Sequence, residues 1–183
     1  MTTQTLITAA EFEEMADRLG PCELVRGEVV TMSPAGMPHS RITAKMVVRL
    51  ERWAEESGQG RTMAGGLGVI VERGPDTVRE ADVAYYSYRR LGREESPEGF
   101  SPVPPNLIVE IVSPRQGWRK VVRKAGEYLQ MGVDRVWIFD PSSRRVHVYR
   151  PDAEPVVLNA GDTLCDDDVL PGFQCGVSEI FSD

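Results

Sequence analysis

The stretch NLIVEIVSP, residues 106–114, reads as a strand buried on both faces, yet it carries a carboxylate, Glu110. Strand alternation puts Ile108, Glu110 and Val112 on one face and Leu107, Val109 and Ile111 on the other. An acid buried there without a partner is expensive. Two other stretches supply company. Lys124 lies three residues after Val121 and four before Tyr128, which sets it on or beside the apolar stripe of a helix. Asp82 opens the strand-like run READVAYY. Two acids on neighbouring strands and an inward lysine on the following helix would converge at one end of a sheet.

Such a trio suits phosphodiester cleavage. Two carboxylates hold a hard divalent cation, Mg²⁺ or Mn²⁺, and leave positions open for water and substrate. The cation polarises the scissile phosphate and lowers the pKa of a bound water. A lysine nearby helps position or deprotonate that water and stabilises charge on the phosphate. The same groups also suit glycoside hydrolysis or a plain ion-pair network. Each has a bland reading of its own. Glu110 pairs with an arginine or faces water from an edge strand, Lys124 snorkels at the stripe edge, and Asp82 simply begins a strand. An aromatic content of 7% gives the sugar reading little help.

Arg115, Arg119, Lys120, Arg123 and Lys124 fall within ten residues, a concentrated basic patch in a chain of net charge −7. Phosphate contact and an ordinary solvated helix face are both open readings. Trp118, in the turn into this helix, stacks on a base or packs at the rim of the core.

The elements that must position these residues follow from pattern. TAAEFEEMADRLG predicts a helix, with Thr8 and Glu11 at capping-box spacing and Gly20 as its stop. CELVRGEVVTMSP predicts a strand pair turning at Arg26-Gly27. The loop SPAGMPH leads to a second helix, from about Ser40 to Ser57, with an apolar stripe of Ile42, Met46, Val47, Leu50 and Trp53. GGLGVIVER and READVAYYS predict strands, and residues 89–105 a surface excursion. After the strand at 106–113 comes a helix from about Gly117 to Met131, then DRVWIFD and its hairpin partner RVHVYR, where His147 reads as a surface residue. Short strands near 155–158 and 173–176 and a last turn at SEIF complete the chain. A strand–helix–strand crossover implies a parallel pair. The fold class is therefore α/β (α+β): a mixed sheet flanked by helices, with antiparallel hairpins at both ends, in one domain over 1–183.

ELVRGEVVTMSP, PHSRI, READVAYY, NLIVEIVSP, KAGEYLQMGVDRVWIFDP and LPGF occur in the order and spacing of the Uma-two family, which the chain resembles from about residue 8 to 181. These are bacterial restriction-endonuclease-like proteins of the PD-(D/E)XK nuclease superfamily. The resemblance implies a metal-dependent DNA endonuclease. Asp82 matches the acid of the first motif, with Ala81 in place of the usual proline. Glu110 matches the acid of the second, but Val112 stands where a lysine is expected. Lys124, on the following helix, takes the matching place. The carbonyl of Ile111 is the implied backbone ligand beside the metal. Relatives often carry an acid between Pro114 and Lys124, and this chain carries none. Glu23, Glu28 and His39 match further family positions. Glu23 would approach the metal, Glu28 would secure the hairpin turn, and His39 would touch substrate, aid proton transfer or cap a helix.

The totals bound the rest. The 183 residues suffice to bury a core, with 41% hydrophobic and 27% charged content. Cys22, Cys165 and Cys175 are too few and scattered for a disulfide framework or zinc cluster, and read as small buried or half-buried residues. The start MTTQTLITAAEFEE has neither a basic opening nor an apolar core, so a cytoplasmic location without membrane attachment is expected. A homodimer would suit the cutting of two strands. The rival from another class is a non-catalytic nucleic-acid-binding or assembly protein on the same fold, favoured by the acidic total.

Overall fold

The structure of the chain, a computed structural model, describes residues 6–114 and 116–182, apart from the side chain of Asp17. Its elements are α1 (Ala9–Leu19), β1 (Cys22–Val25), β2 (Glu28–Thr31), α2 (Met37–Ser57), β3 (Gly60–Glu72), β4 (Thr77–Ser87), β5 (Leu107–Ile111), α3 (Trp118–Met131), β6 (Arg135–Asp140), β7 (Arg145–Tyr149), β8 (Val156–Leu158), β9 (Thr163–Asp166), β10 (Leu170–Gly176) and α4 (Val177–Phe181). An eight-stranded mixed sheet runs β2-β1-β4-β5-β6-β7-β8, with β3 on β4, and β9 and β10 form a separate pair.

β5 is buried at all five positions and lies parallel to β6 through the α3 crossover. α2 covers one face. Its buried residues Ile42, Met46, Leu50 and Ala54 recur every fourth position and meet Val83, Tyr85, Leu107, Val109, Ile111, Trp137 and Phe139. α3 covers the other face, with Val121, Ala125 and Tyr128 against Ala84, Tyr86, Ile108, Val136 and Ile138. The result is three layers, helix on sheet on helix. α1 starts from the expected capping box, in which Thr8 Oγ1 accepts from Glu11 N at 3.2 Å and Glu11 Oε2 accepts from Thr8 N at 2.8 Å.

Several boundaries differ from pattern. α2 begins at Met37, not Ser40, because Pro38 sits in its first turn with φ already set for a helix. His39 is therefore helical rather than in a loop. β3 extends back to Gly60, across a bulge at Gly65-Gly66 that interrupts its apolar alternation. β9 was not expected, since TLCD buries only Leu164. Cys165 is exposed, while Cys22 is half-buried and Cys175 buried. Among the described residues no helix is long and apolar enough to cross a membrane.

Candidate active site

β4 pairs with β3 along nearly its whole length, but its other edge is shared. β1 takes it at Leu24↔Val78, and β5 takes it from Val83 to Tyr85. Between them the sheet forks, and side chains satisfy the backbone that strands leave open. Glu23 Oε1 accepts from Glu80 N at 3.1 Å, and Lys124 Nζ donates to Glu80 O at 2.6 Å. Asp82 Oδ2 accepts from Ile111 N at 2.8 Å. Continuing the β4–β5 register by one step from Val83↔Val109 sets Asp82 opposite Glu110, and opposite positions share a face. That face is the one under α3.

Lys124 lies on the buried stripe of α3, at 4% exposure, above Glu110 at 1%. Its Nζ is 2.9 and 3.0 Å from the two Glu110 oxygens and 3.0 Å from Glu23 Oε1. Tyr128, one turn on, donates its hydroxyl to Glu110 Oε1 at 2.9 Å. Glu23 is tied in turn to Arg79 at 2.7 Å, and Arg79 closes a two-bond fork on Glu127 at 2.6 and 2.9 Å. A relay of alternating charge thus runs Glu110, Lys124, Glu23, Arg79, Glu127. At its mouth, His39 Nε2 donates to Asp82 Oδ2 at 3.1 Å. Asp82 is the more open acid, with its side chain 23% exposed.

Charge in this cluster is unevenly compensated. Burial raises the Glu110 carboxyl to about 7, and Asp82 adds to the rise, against the pull of Lys124. Burial alone would depress the Lys124 ammonium, but Glu110, Glu23 and Asp82 outweigh it and hold its proton more firmly than usual. Burial pushes Glu23 up, yet Lys124 and Arg79 together bring it below its ordinary value. Glu80 is raised, chiefly by burial. Burial likewise disfavours the His39 imidazolium, but the bond to Asp82 wins and its pKa rises.

A family model described as "Uma2: Putative restriction endonuclease" matches residues 9–178. The chain belongs to the Uma2 family. No curated protein matches it. The crystal structure, at 1.96 Å, of a "putative nuclease belonging to DUF820" from Anabaena variabilis ATCC 29413 superposes with a TM-score of 0.80 at 22% identity, covering 96% of this chain and 97% of that one. The Uma2 chain therefore has the fold of that protein.

In this Uma2 chain Asp82, Glu110, Lys124, Glu23 and His39 come together. Lys124 reaches Glu110 from the helix, while Val112 stays apolar and half-buried. Ile111 joins them through its amide. Glu28 stands apart, exposed at the start of β2. Arg119, Lys120 and Arg123 are exposed on α3, with Arg123 also 3.6 Å from Glu127, whereas Arg115 lies outside the described residues. His147 is half-buried rather than a surface residue, because the Trp118 ring lies against it. Arg79, Glu80, Glu127 and the Tyr128 hydroxyl were not singled out from sequence. The READ run held a clue to the first two, since it packs three charges into the start of a strand. Glu127 follows Arg123 by one helical turn, which is only a weak signal.

Proposed function

We propose that this Uma2 chain is a metal-dependent endonuclease that hydrolyses phosphodiester bonds in DNA. The observation that carries the reading is the buried Lys124 amine, between Glu110 and Glu23 and on the side of the sheet where Asp82 falls opposite Glu110. A lysine held there by the fork is poorly explained by packing alone.

The donor chemistry suits Mg²⁺ or Mn²⁺. Among the described residues no three His, Cys, Asp or Glu side chains gather as a ready metal cage. Mg²⁺ rarely uses such a cage, because it keeps several waters and rests on one or two carboxylates. Asp82, Glu110 and the Ile111 carbonyl would hold it, all through oxygen. Around them Glu23, Glu80, Asp82, Glu110 and Glu127 set five carboxylates against Lys124 and Arg79, a surplus of negative charge that a divalent cation offsets. When bound, the ion would polarise the scissile phosphate and acidify a water at neutral pH.

The chain's own residues divide the remaining work. Lys124 keeps its proton, since carboxylates flank it, so its part is a fixed cation for charge developing on the phosphate rather than a general base. Tyr128 and Lys124 orient Glu110. His39 and the Ile111 amide both take Asp82 Oδ2, which fixes the carboxylate and turns Oδ1 to other use. Arg119, Lys120 and Arg123 would meet flanking phosphates. Among the described residues no arginine pairs with Asp82 or Glu110, whose partners are His39 and Lys124, whereas a purely structural role would favour arginine locks.

The test is cleavage of supercoiled plasmid with Mg²⁺, Mn²⁺ or chelator. Wild-type protein is expected to cut only with metal. Asp82→Asn, Glu110→Gln and Lys124→Ala should each fall by about 100-fold or more while retaining the wild-type circular dichroism. An Asp82→Asn protein that cuts at the wild-type rate overturns the reading, as does wild-type cutting that ignores the metal.

A further inference from the structure

We infer that Trp118 and His147 form a stacking platform for an unpaired nucleobase, roughly three nucleotides along the strand from the bond held at Asp82 and Glu110. The inference rests on the nuclease reading above and adds the form of nucleic acid it favours.

Trp118 is the first residue of α3 and is 38% exposed, with its ring centroid 4.5 Å from that of His147 and the planes inclined at 57°. Burial and Arg145 hold the His147 ring toward its neutral form, against the opposing pull of Asp140. A large aromatic left half open at a helix start does little for the core.

Its place relative to the acids is set by the sheet. Glu110 pairs with Ile138, Ile138 with His147 and His147 with Val157. Partners in register share a face, so these residues form one row under α3, with Asp82 at its other end. Glu110 and His147 are two strand spacings apart, about 10 Å. The helix gives the same span independently, since Trp118 precedes Lys124 by six residues, about 9 Å of rise. Stacked nucleotides rise roughly 3.4 Å each, so a strand whose scissile phosphate meets a cation held at the acids reaches the platform within about three nucleotides.

The neighbours fit the same occupant. Arg119 and Lys120 follow Trp118 in the exposed first turn of α3, and Val157, 42% exposed, extends the apolar floor. A second copy of the chain would fit poorly. A two-fold contact brings a patch onto itself, and here that sets Arg119, Lys120 and Arg123 against their own like charges. A base needs only a π-face and a nearby cation for its phosphate. Bases inside a duplex are already stacked, so the platform takes single-stranded, frayed or flipped nucleotides.

The test uses the whole chain with Ca²⁺ in place of Mg²⁺ or Mn²⁺, which fills an oxygen-ligand site, with intact ligand checked after each titration, and compares labelled oligothymidylate with a blunt duplex. Affinity is read by anisotropy over a salt series. Trp118→Ala should weaken single-strand binding on the order of tenfold, with a smaller loss on duplex and an unchanged salt slope. Trp118→Tyr should restore most of it. Arg119→Ala with Lys120→Ala should instead flatten the salt slope on both ligands. Equal loss on strand and duplex, no loss on either, or a wild type that binds no single strand overturns the platform. So does a wild-type dimer, seen by sedimentation, that Trp118→Ala dissociates without touching DNA binding. Plasmid cutting by Asp82→Asn, measured alongside, fails or stands independently and tells loss of the nuclease reading from loss of the platform.

Discussion

Glu110 holds its charge reluctantly. Its carboxyl titrates at about 7 in the folded chain against an ordinary value of 4.5, because burial outweighs the help of Lys124. Between those values the folded state binds more protons than the unfolded state. The group's contribution to stability is thus fullest below the ordinary value and is lost as pH rises through about 7. Glu23 works the other way. Its lowered pKa gives stability that is present at neutral pH and lost on acidification. Glu110→Gln removes the first titration and leaves Lys124 paired with Glu23. With metal chelated, wild type should therefore lose about 2–3 kcal/mol relative to Glu110→Gln between pH of about 5 and about 8. Urea unfolding at the two pH values measures this, and an unchanged difference would mean that Glu110 does not titrate in this range.

The elements decide whether Asp82 and Glu110 can meet at all. Opposite Asp82 the β3 strand spends two residues, Gly65 and Gly66, where β4 spends one, between the pairs Ala64↔Val83 and Leu67↔Ala81. Both glycines have positive φ, +90° and +87°. A Cβ on Gly65 meets nothing within 4 Å, whereas one on Gly66 falls 2.6 Å from Glu80 Oε1. Gly65→Ala should cost only backbone strain, about 1–2 kcal/mol, while Gly66→Ala adds displacement of Glu80 beside the fork. Urea unfolding and plasmid cutting on the same samples separate the two. Gly66→Ala should lose activity several-fold beyond Gly65→Ala at equal foldedness, and equal activities would free Glu80 from any part in the site. The bulge also marks where sequence reasoning stops. Lys124 was legible because Val121 and Tyr128 fix its face within two turns of one helix. The β5–α3–β6 crossover was legible for the same local reason. The pairing of Asp82 with Glu110 depends on a register set across the connection between β4 and β5, and the Glu23–Arg79 contact joins residues 56 apart. No periodicity encodes either distance, so Arg79 and Glu127 stayed unremarked although they complete the relay.

At the scale of the whole molecule the fork is where separate parts of the fold are joined. The first hairpin contributes Glu23, α2 contributes His39, α3 contributes Lys124, and the central strands contribute Asp82 and Glu110. A ligand that needs them together exists only in the folded chain, so its binding energy becomes folding stability. Under the nuclease reading, Mn²⁺ at about 100 times its dissociation constant should add about 2.7 kcal/mol. For a chain of this size that is a rise in Tm of about 5–10 °C. Because a metal-bound Glu110 must first lose its proton, the rise should be larger above pH of about 7 than below it. Asp82→Asn should abolish the rise without lowering the metal-free Tm greatly, since Asp82 is the partly open acid of the pair. Differential scanning calorimetry with and without Mn²⁺ reads all of this with no substrate present. A rise that survives Asp82→Asn at full size would place the ion elsewhere, and a rise independent of pH would take Glu110 out of its ligand set.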